Sequence, residues 1–234
     1  MEANGQVVAI TGAAGNLGRA VATAFEARGA IVALFARTER ALADAFGAPT
    51  AQRIYVAADL LDGDAVERAV ATVVARQRRI DALVNVAGGF RTDGPVHATP
   101  AASFESLFAL NVVTLANMAH AVVPHMLAAG RGAIVNIGAF AANRGGANMG
   151  AYAAAKSSVI RLTESMAAEL RNHGINVNCV LPTILDTPEN RRDMPQSDPS
   201  KWVSPSDLAR VIAFLASDEA RAIHGAAIPV TALS

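Results

Sequence analysis

Cysteine is almost missing from this chain. Its 234 residues include one, Cys179, so no internal disulfide can form. That fits a reducing compartment, although many secreted proteins also lack disulfides. Net charge is missing too, because 20 basic residues balance 20 acidic ones. A balanced chain lacks the electrostatic footprint of a nucleic-acid binder. The N-terminus, Met1-Glu-Ala-Asn-Gly-Gln6, has no basic stretch and runs straight into a β-type segment. It does not read as a signal peptide. No apolar run approaches the roughly 20 residues that span a bilayer. The expectation is a cytoplasmic protein with neither nucleic acid nor membrane as partner. With 52% hydrophobic and 17% charged residues, the composition is that of a folded chain long enough to bury a substantial core.

What is present is alternation. Apolar, β-branched runs at Val7–Ile10, Ile31–Phe35, Ile54–Val56, Ala82–Val86, Ala133–Ile137, Ile175–Leu181 and Ala226–Val230 are separated by helical patterns. Continuous apolar strands read as buried on both faces, as in a parallel sheet. Val66, Ala69, Val70, Val73 and Val74 share one helix face. Thr99-Pro100 reads as an N-cap and first helical residue, opening a helix to about Ala129 with a possible bend at Pro124. The order predicts an α/β fold: one doubly wound, Rossmann-type sheet of about seven parallel strands with helices on both faces, spanning residues 1–234. Residues 187–206 break the pattern with four prolines, charges and the only tryptophan. This stretch follows the sixth strand, where ligands approach such sheets, so it reads as a substrate lid. The alternative is a solvated surface excursion.

The first turn, Thr11-Gly-Ala-Ala-Gly-Asn-Leu-Gly18, joins a strand to a helix. Gly12 turns the chain, Gly15 allows close backbone approach and Gly18 lets the helix pack. A pyrophosphate would rest on the helix start near Asn16 and Leu17. A glycine loop can also be only a tight turn. The second strand ends in Ala36-Arg37 rather than an acid. An arginine pairs with a 2′-phosphate that a carboxylate would repel, so NADP(H) is preferred, with NAD(H) possible. The alternative is an ordinary surface arginine. Asp59-Leu60 closes the third strand; its carboxylate would accept from an adenine amino group or cap the helix near Asp62. Asn85-Val-Ala87-Gly88 closes the fourth, as a cofactor contact or a plain turn. Asn111 sits inside a helix, where asparagine is a mediocre former. It would hold a water near Lys156 or be satisfied at a helix interface.

Tyr152 and Lys156 stand at i, i+4 and share a helix face. A nearby ammonium favours the phenolate and lowers the tyrosine pKa, which suits general acid–base work. Together these pieces resemble the short-chain dehydrogenase/reductase family over almost the full length. The resemblance implies that Tyr152 exchanges a proton with a small-molecule substrate and that Lys156 binds the nicotinamide ribose. It also implies that Asn111 supports a proton relay and that Pro182, Thr183, Ile184 and Thr187 contact the nicotinamide. A homodimer or homotetramer through the helices of Asn111 and Tyr152 is implied as well; no metal is. The sequence departs from the family at Ala139, where a serine is usual, and at Asn16, where a glycine is usual. Asn143 or Asn148, between Ala139 and Tyr152, would supply the missing donor if turned inward.

Ala139, the Val86-Ala-Gly-Gly-Phe90 turn and the run Leu181–Trp202 resemble the dihydropteridine reductase-like members of the family most. They point to a reductase of a pterin-like or other conjugated substrate, with Tyr152 as proton donor and Ala139, Asn148, Met194 and Trp202 at the substrate. Met149 either lines the pocket or fills it. Arg191 and Arg192 would pair with an anion or be solvated. Two other readings stand beside it: a carbonyl or 3-oxoacyl reductase with a substituted donor, and a non-catalytic NADP(H)-binding redox sensor.

Overall fold

The computed structural model describes residues 5–232; the first four residues of the N-terminal segment read above lie outside them. Seven strands form one parallel sheet in the order β3-β2-β1-β4-β5-β6-β7. They are β1 Val7–Ile10, β2 Ile31–Ala36, β3 Arg53–Ala57, β4 Ala82–Asn85, β5 Gly132–Ile137, β6 Ile175–Pro182 and β7 Ala227–Val230. Strand residues alternate between two apolar layers. Val8, Ile10, Val32, Leu34 and Val84 pack with Leu17, Val21 and Phe25 of α1 (Asn16–Glu26) and Leu208 and Ile212 of α8 (Pro205–Leu215). Val7, Ala9, Phe35 and Leu83 pack on the other face. Their partners there come from α3 (Gly63–Gln77), α5 (Thr114–Ala129) and α6 (Gly150–Leu170). Burial on both faces is why these strands are mostly apolar. The remaining helices are α2 (Glu39–Phe46), α4 (Ala101–Phe108) and α7 (Pro188–Asp193).

The chain order reverses between β1 and β4, which opens a crevice at the carboxyl ends of the strands. Three sequence expectations change here. Thr99 does not cap α4; Pro100 takes the N-cap place, and the Thr99 hydroxyl donates to backbone carbonyls at Asp93 and Pro95. The long helix is interrupted at Asn111, inside a π turn over Ala109–Val113 that joins α4 to α5. The joined run Ala101–Ala129 also meets the length and composition of a membrane span, which reading for uncharged runs missed. In the fold its Met118, Val122 and Met126 are core residues beneath the sheet.

The segment at 187–206 is ordered by local chemistry. The Thr187 hydroxyl accepts from Asn190 N–H and caps α7, and Ser204 caps α8 in the same way. Val203 exchanges backbone hydrogen bonds with Ile184 and Asp186. Trp202 is buried, 8% exposed. The side chain expected at the substrate is therefore largely covered by the protein itself.

Candidate active site

The floor of the crevice is the turn after β1. Gly12 has φ +60°, and a Cβ there would lie 2.9 Å from the Ala87 backbone. Glycine is therefore required twice, for conformation and for space. Ala87 N–H donates to the Thr11 hydroxyl at 3.0 Å, so the β1 and β4 turns are tied together. A Cβ on Gly18 would collide with the Gly12 carbonyl, which fixes how closely α1 approaches its own loop. Gly15 is the exposed N-cap of α1, and no side chain caps that helix. By contrast Thr38 caps α2 and Asp62 caps α3. An uncapped helix start at a glycine turn leaves N–H groups free for an anion. Leu17 is buried, so only its backbone is available there.

Around this floor the other expected cofactor positions fall into two groups. Arg37 is exposed just beyond β2, and Gly88 is exposed at the β4 turn. Asp59 is exposed and accepts from Leu61 N–H; Asp62, not Asp59, caps α3, which settles that alternative. Leu60 is buried, and its carbonyl accepts from Asn117. Asn85 departs from its expected role. It is 3% exposed, and its amide donates to Asn136 Oδ1 at 2.9 Å; Asn136 donates in turn to the Thr163 hydroxyl. Asn85 Oδ1 is buried without a partner. Its side chain therefore faces a polar row beneath α6 rather than the open crevice. Only the asparagine within the apolar run Gly132–Ile137 signalled this row, and Thr163 gave no signal.

Asn111 lies in the π turn, a feature frequent at functional sites. Its Nδ2 donates to the Gly89 carbonyl at 3.1 Å and the Leu107 carbonyl at 3.0 Å, and its Oδ1 accepts from Gly89 N–H at 3.1 Å. Both amide hydrogens are committed, so Asn111 clamps the Gly88–Gly89 backbone first. A Cβ on Gly88 would lie 2.7 Å from Asn111 Oδ1 and 3.2 Å from Lys156 Nζ. That absent side chain is what lets the two groups converge.

Tyr152 and Lys156 rise from α6. Lys156 is buried, and its Nζ donates to the Ile137 carbonyl at 2.8 Å. Burial lowers its pKa to about 8, opposed by the Cys179 thiol on β6. Burial raises Tyr152 to about 12. This corrects the expectation of a lowered tyrosine: burial acts on its phenol, and the Lys156 ammonium is held by a backbone carbonyl. The Tyr152 ring meets Phe90 edge-on, with centroids 4.9 Å apart. Residue 139 is a buried alanine offering only a methyl group. Asn143 and Asn148 are exposed, Asn148 with φ +61°. Met149 and Met194 are half-buried. Arg191 is paired with Asp186 through both Nε and Nη2, and Arg192 is exposed.

After β6, Thr183 N–H donates to the Val230 carbonyl, fixing the chain beyond Pro182. Ile184 stands exposed and Thr187 is buried. One link across the crevice was not foreseen. Asn16 Nδ2 donates to the Glu189 carboxylate at 2.7 Å, and Arg19 donates to Asn16 Oδ1. The glycine loop is thereby joined to α7.

The defining pattern of the short chain dehydrogenases matches residues 6–198. The chain belongs to the short-chain dehydrogenase/reductase family. It is 35% identical over 239 residues to 2-(R)-hydroxypropyl-CoM dehydrogenase of Xanthobacter autotrophicus, covering 95% of this chain and 96% of that one. A gluconate 5-dehydrogenase from Burkholderia cenocepacia, solved with NADP and tartrate, superposes with a TM-score of 0.88 at 27% identity, covering 98% and 94%. A 3-ketoacyl-(acyl-carrier-protein) reductase from Brucella melitensis with NADH gives 0.86 at 28%, covering 97% of each chain. The short-chain dehydrogenase/reductase described here is thus an NAD(P)-dependent oxidoreductase. Its residues fit such a cofactor: the Gly12–Ala87 floor, the uncapped α1 and the bare Gly88 form a cradle that side chains would fill.

Proposed function

We propose that this enzyme reduces a small-molecule carbonyl with Tyr152 as the proton donor and without a serine beside it. The observation that carries the reading is the convergence of Asn111 and Lys156 on Gly88, with Tyr152 one turn from Lys156 on the same helix and an alanine at residue 139. With its pKa at about 12, Tyr152 stays protonated at working pH and has a proton to give to a substrate oxygen. Lys156 is cationic below about pH 8 and favours the phenolate that forms as the proton leaves. Asn111 holds the Gly88–Gly89 backbone, and one Oδ1 lone pair remains to seat a water for the relay. NAD(P)H, when bound, supplies the hydride. Arg37 beyond β2, with no acid at Ala36, supports a preference for NADPH. Charge-assisted hydrogen bonds to a 2′-phosphate carry about 1.5–3 kcal/mol.

A second reading, a pterin-like or other conjugated substrate in place of a carbonyl, is supported by Ala139. A conjugated C=N acceptor has no isolated ketone oxygen that needs a second donor. Residues 187–206 serve as the substrate lid in this account, supported by the Asn16–Glu189 link and by half-buried Met194. Exposed Phe108, Leu110 and Leu127 on the α4–α5 run support a homodimer or homotetramer. The test is oxidation of NADPH and NADH, followed at 340 nm, with a cyclic ketone, a 3-oxoacyl thioester and quinonoid dihydropterin. Turnover with NADPH ahead of NADH is expected, with the preference lost in Arg37→Ala. Equal affinity for the two cofactors in the wild type would overturn the NADPH reading.

A further inference from the structure

Exposed apolar side chains gather where the chain leaves the carboxyl edge of the sheet, and one of them, Phe90, meets Tyr152. Among the described residues eight large hydrophobic side chains are exposed, and four of them stand on these segments: Phe90 at 61%, Val96 at 60%, Phe140 at 43% and Ile184 at 40%. Phe90 follows β4, Phe140 follows β5 and Ile184 follows β6, so three successive strands deliver them to one edge. Val96 packs directly on Gly150 at the start of the Tyr152 helix. Phe90 is the nearest to the chemistry, its ring set at 88° to that of Tyr152. Edge-to-face packing leaves most of the Phe90 ring in water, where an apolar surface is unfavourable until something covers it.

Several polar side chains of the same segments are already committed. Arg91 binds Asp93 and Ser106, and the Thr99 and Ser157 hydroxyls donate to backbone carbonyls. The Thr187 hydroxyl caps α7, and residue 139 carries a methyl group. A substrate hydroxyl turned toward Phe90, Val96, Phe140 or Ile184 would meet an apolar side chain, and a buried unpaired hydroxyl is disfavoured.

We propose that Phe90 is a specificity-determining residue that selects carbonyl compounds bearing an alicyclic or aromatic ring, and that polyhydroxylated ketoses are poor substrates. The proposal rests on the carbonyl-reductase reading above. The carbonyl carbon takes a hydride from NAD(P)H and the oxygen takes a proton from Tyr152, giving a secondary alcohol and NAD(P)+. The substrate ring lies on Phe90 while this happens. An apolar site discriminates against one added hydroxyl by about a hundredfold, and further hydroxyls compound the effect.

The experiment has a binding arm and a turnover arm. 1-Phenylethanol, cyclohexanol and erythritol are titrated calorimetrically into the enzyme–NADPH complex, in which both partners are reduced and nothing turns over. Wild type, Phe90→Leu and Phe90→Ala are compared, with thermal melts as the check on folding. Acetophenone, cyclohexanone and erythrulose are then assayed as substrates. The ring alcohols are expected to bind about tenfold more weakly to Phe90→Ala, with Phe90→Leu between, and erythritol not to bind. Ring ketones should exceed erythrulose about a hundredfold or more in kcat/KM. Ring-alcohol affinity unchanged in both variants, or erythrulose turned over as well as the ring ketones, would overturn the proposal while leaving the reductase reading intact. Phe90-dependent ring binding without turnover of any ketone would uphold the ring site and overturn the reductase reading.

Discussion

Replacing Lys156 with methionine should abolish turnover and yet stabilise the cofactor-free protein. Lys156 is fully buried, and desolvation brings its pKa from 10.5 down to about 8. Below about pH 8 the ammonium is charged in both the folded and unfolded states, and the folded state carries the whole penalty. At 1.36 kcal/mol per unit this amounts to about 3 kcal/mol. Methionine removes the charge but leaves the Ile137 carbonyl without its 2.8 Å donor, which costs about 1 kcal/mol. The net gain is about 2 kcal/mol, or about 4–8 °C in a chain of this size. The sign with pH is fixed. The folded pKa lies below the unfolded one, so wild-type stability recovers as pH rises from about 8 to 10.5 and the gap closes. Calorimetric melts of both proteins at pH 7 and pH 10 read this directly. A methionine variant less stable at pH 7, or a gap unchanged at pH 10, would refute the reasoning.

Three further outcomes follow from the same geometry. Gly88→Ala would push a methyl group between Asn111 Oδ1 and Lys156 Nζ; turnover should fall about a hundredfold or more with only a small drop in melting temperature. Ala139→Ser should raise kcat on simple ketones by about tenfold to a hundredfold, because a second donor then reaches the developing oxyanion. Unchanged ketone kinetics would show that the hydroxyl does not reach the substrate. Asn16→Gly cuts the bond to Glu189, so stopped-flow release of NADPH should quicken several-fold, whereas Glu189→Gln keeps an acceptor and should release more slowly than Asn16→Gly.

Much of this was legible in the residues because it depends on short-range rules. Strands buried on both faces are predominantly apolar, and all seven strands were located to within a residue or two. The Gly12 turn could be read because only glycine meets its φ and the Ala87 contact together. What escaped depends on partners distant in the chain. The π turn at Asn111 goes with a backbone clamp on Gly89, 22 residues away. The Asn16–Glu189 bond spans 173 positions. The i, i+4 spacing correctly put Tyr152 and Lys156 on one helix face. It carried no information about burial, and burial decides the direction of both pKa shifts. Trp202 was expected at the substrate, but it is buried beside a bridge from Leu185 to Val203 that no local pattern signals.

The most direct test of the central claim is Tyr152→Phe on whichever carbonyl substrate the wild type turns over best. NADPH oxidation and NADPH affinity are measured on the same samples. The phenyl ring keeps the packing against Phe90 and removes only the proton donor. The account predicts that turnover falls by about 10²–10⁴ while NADPH binds with wild-type affinity. Turnover that survives in the phenylalanine variant would contradict it, because the chain would then be protonating its substrate from somewhere other than Tyr152.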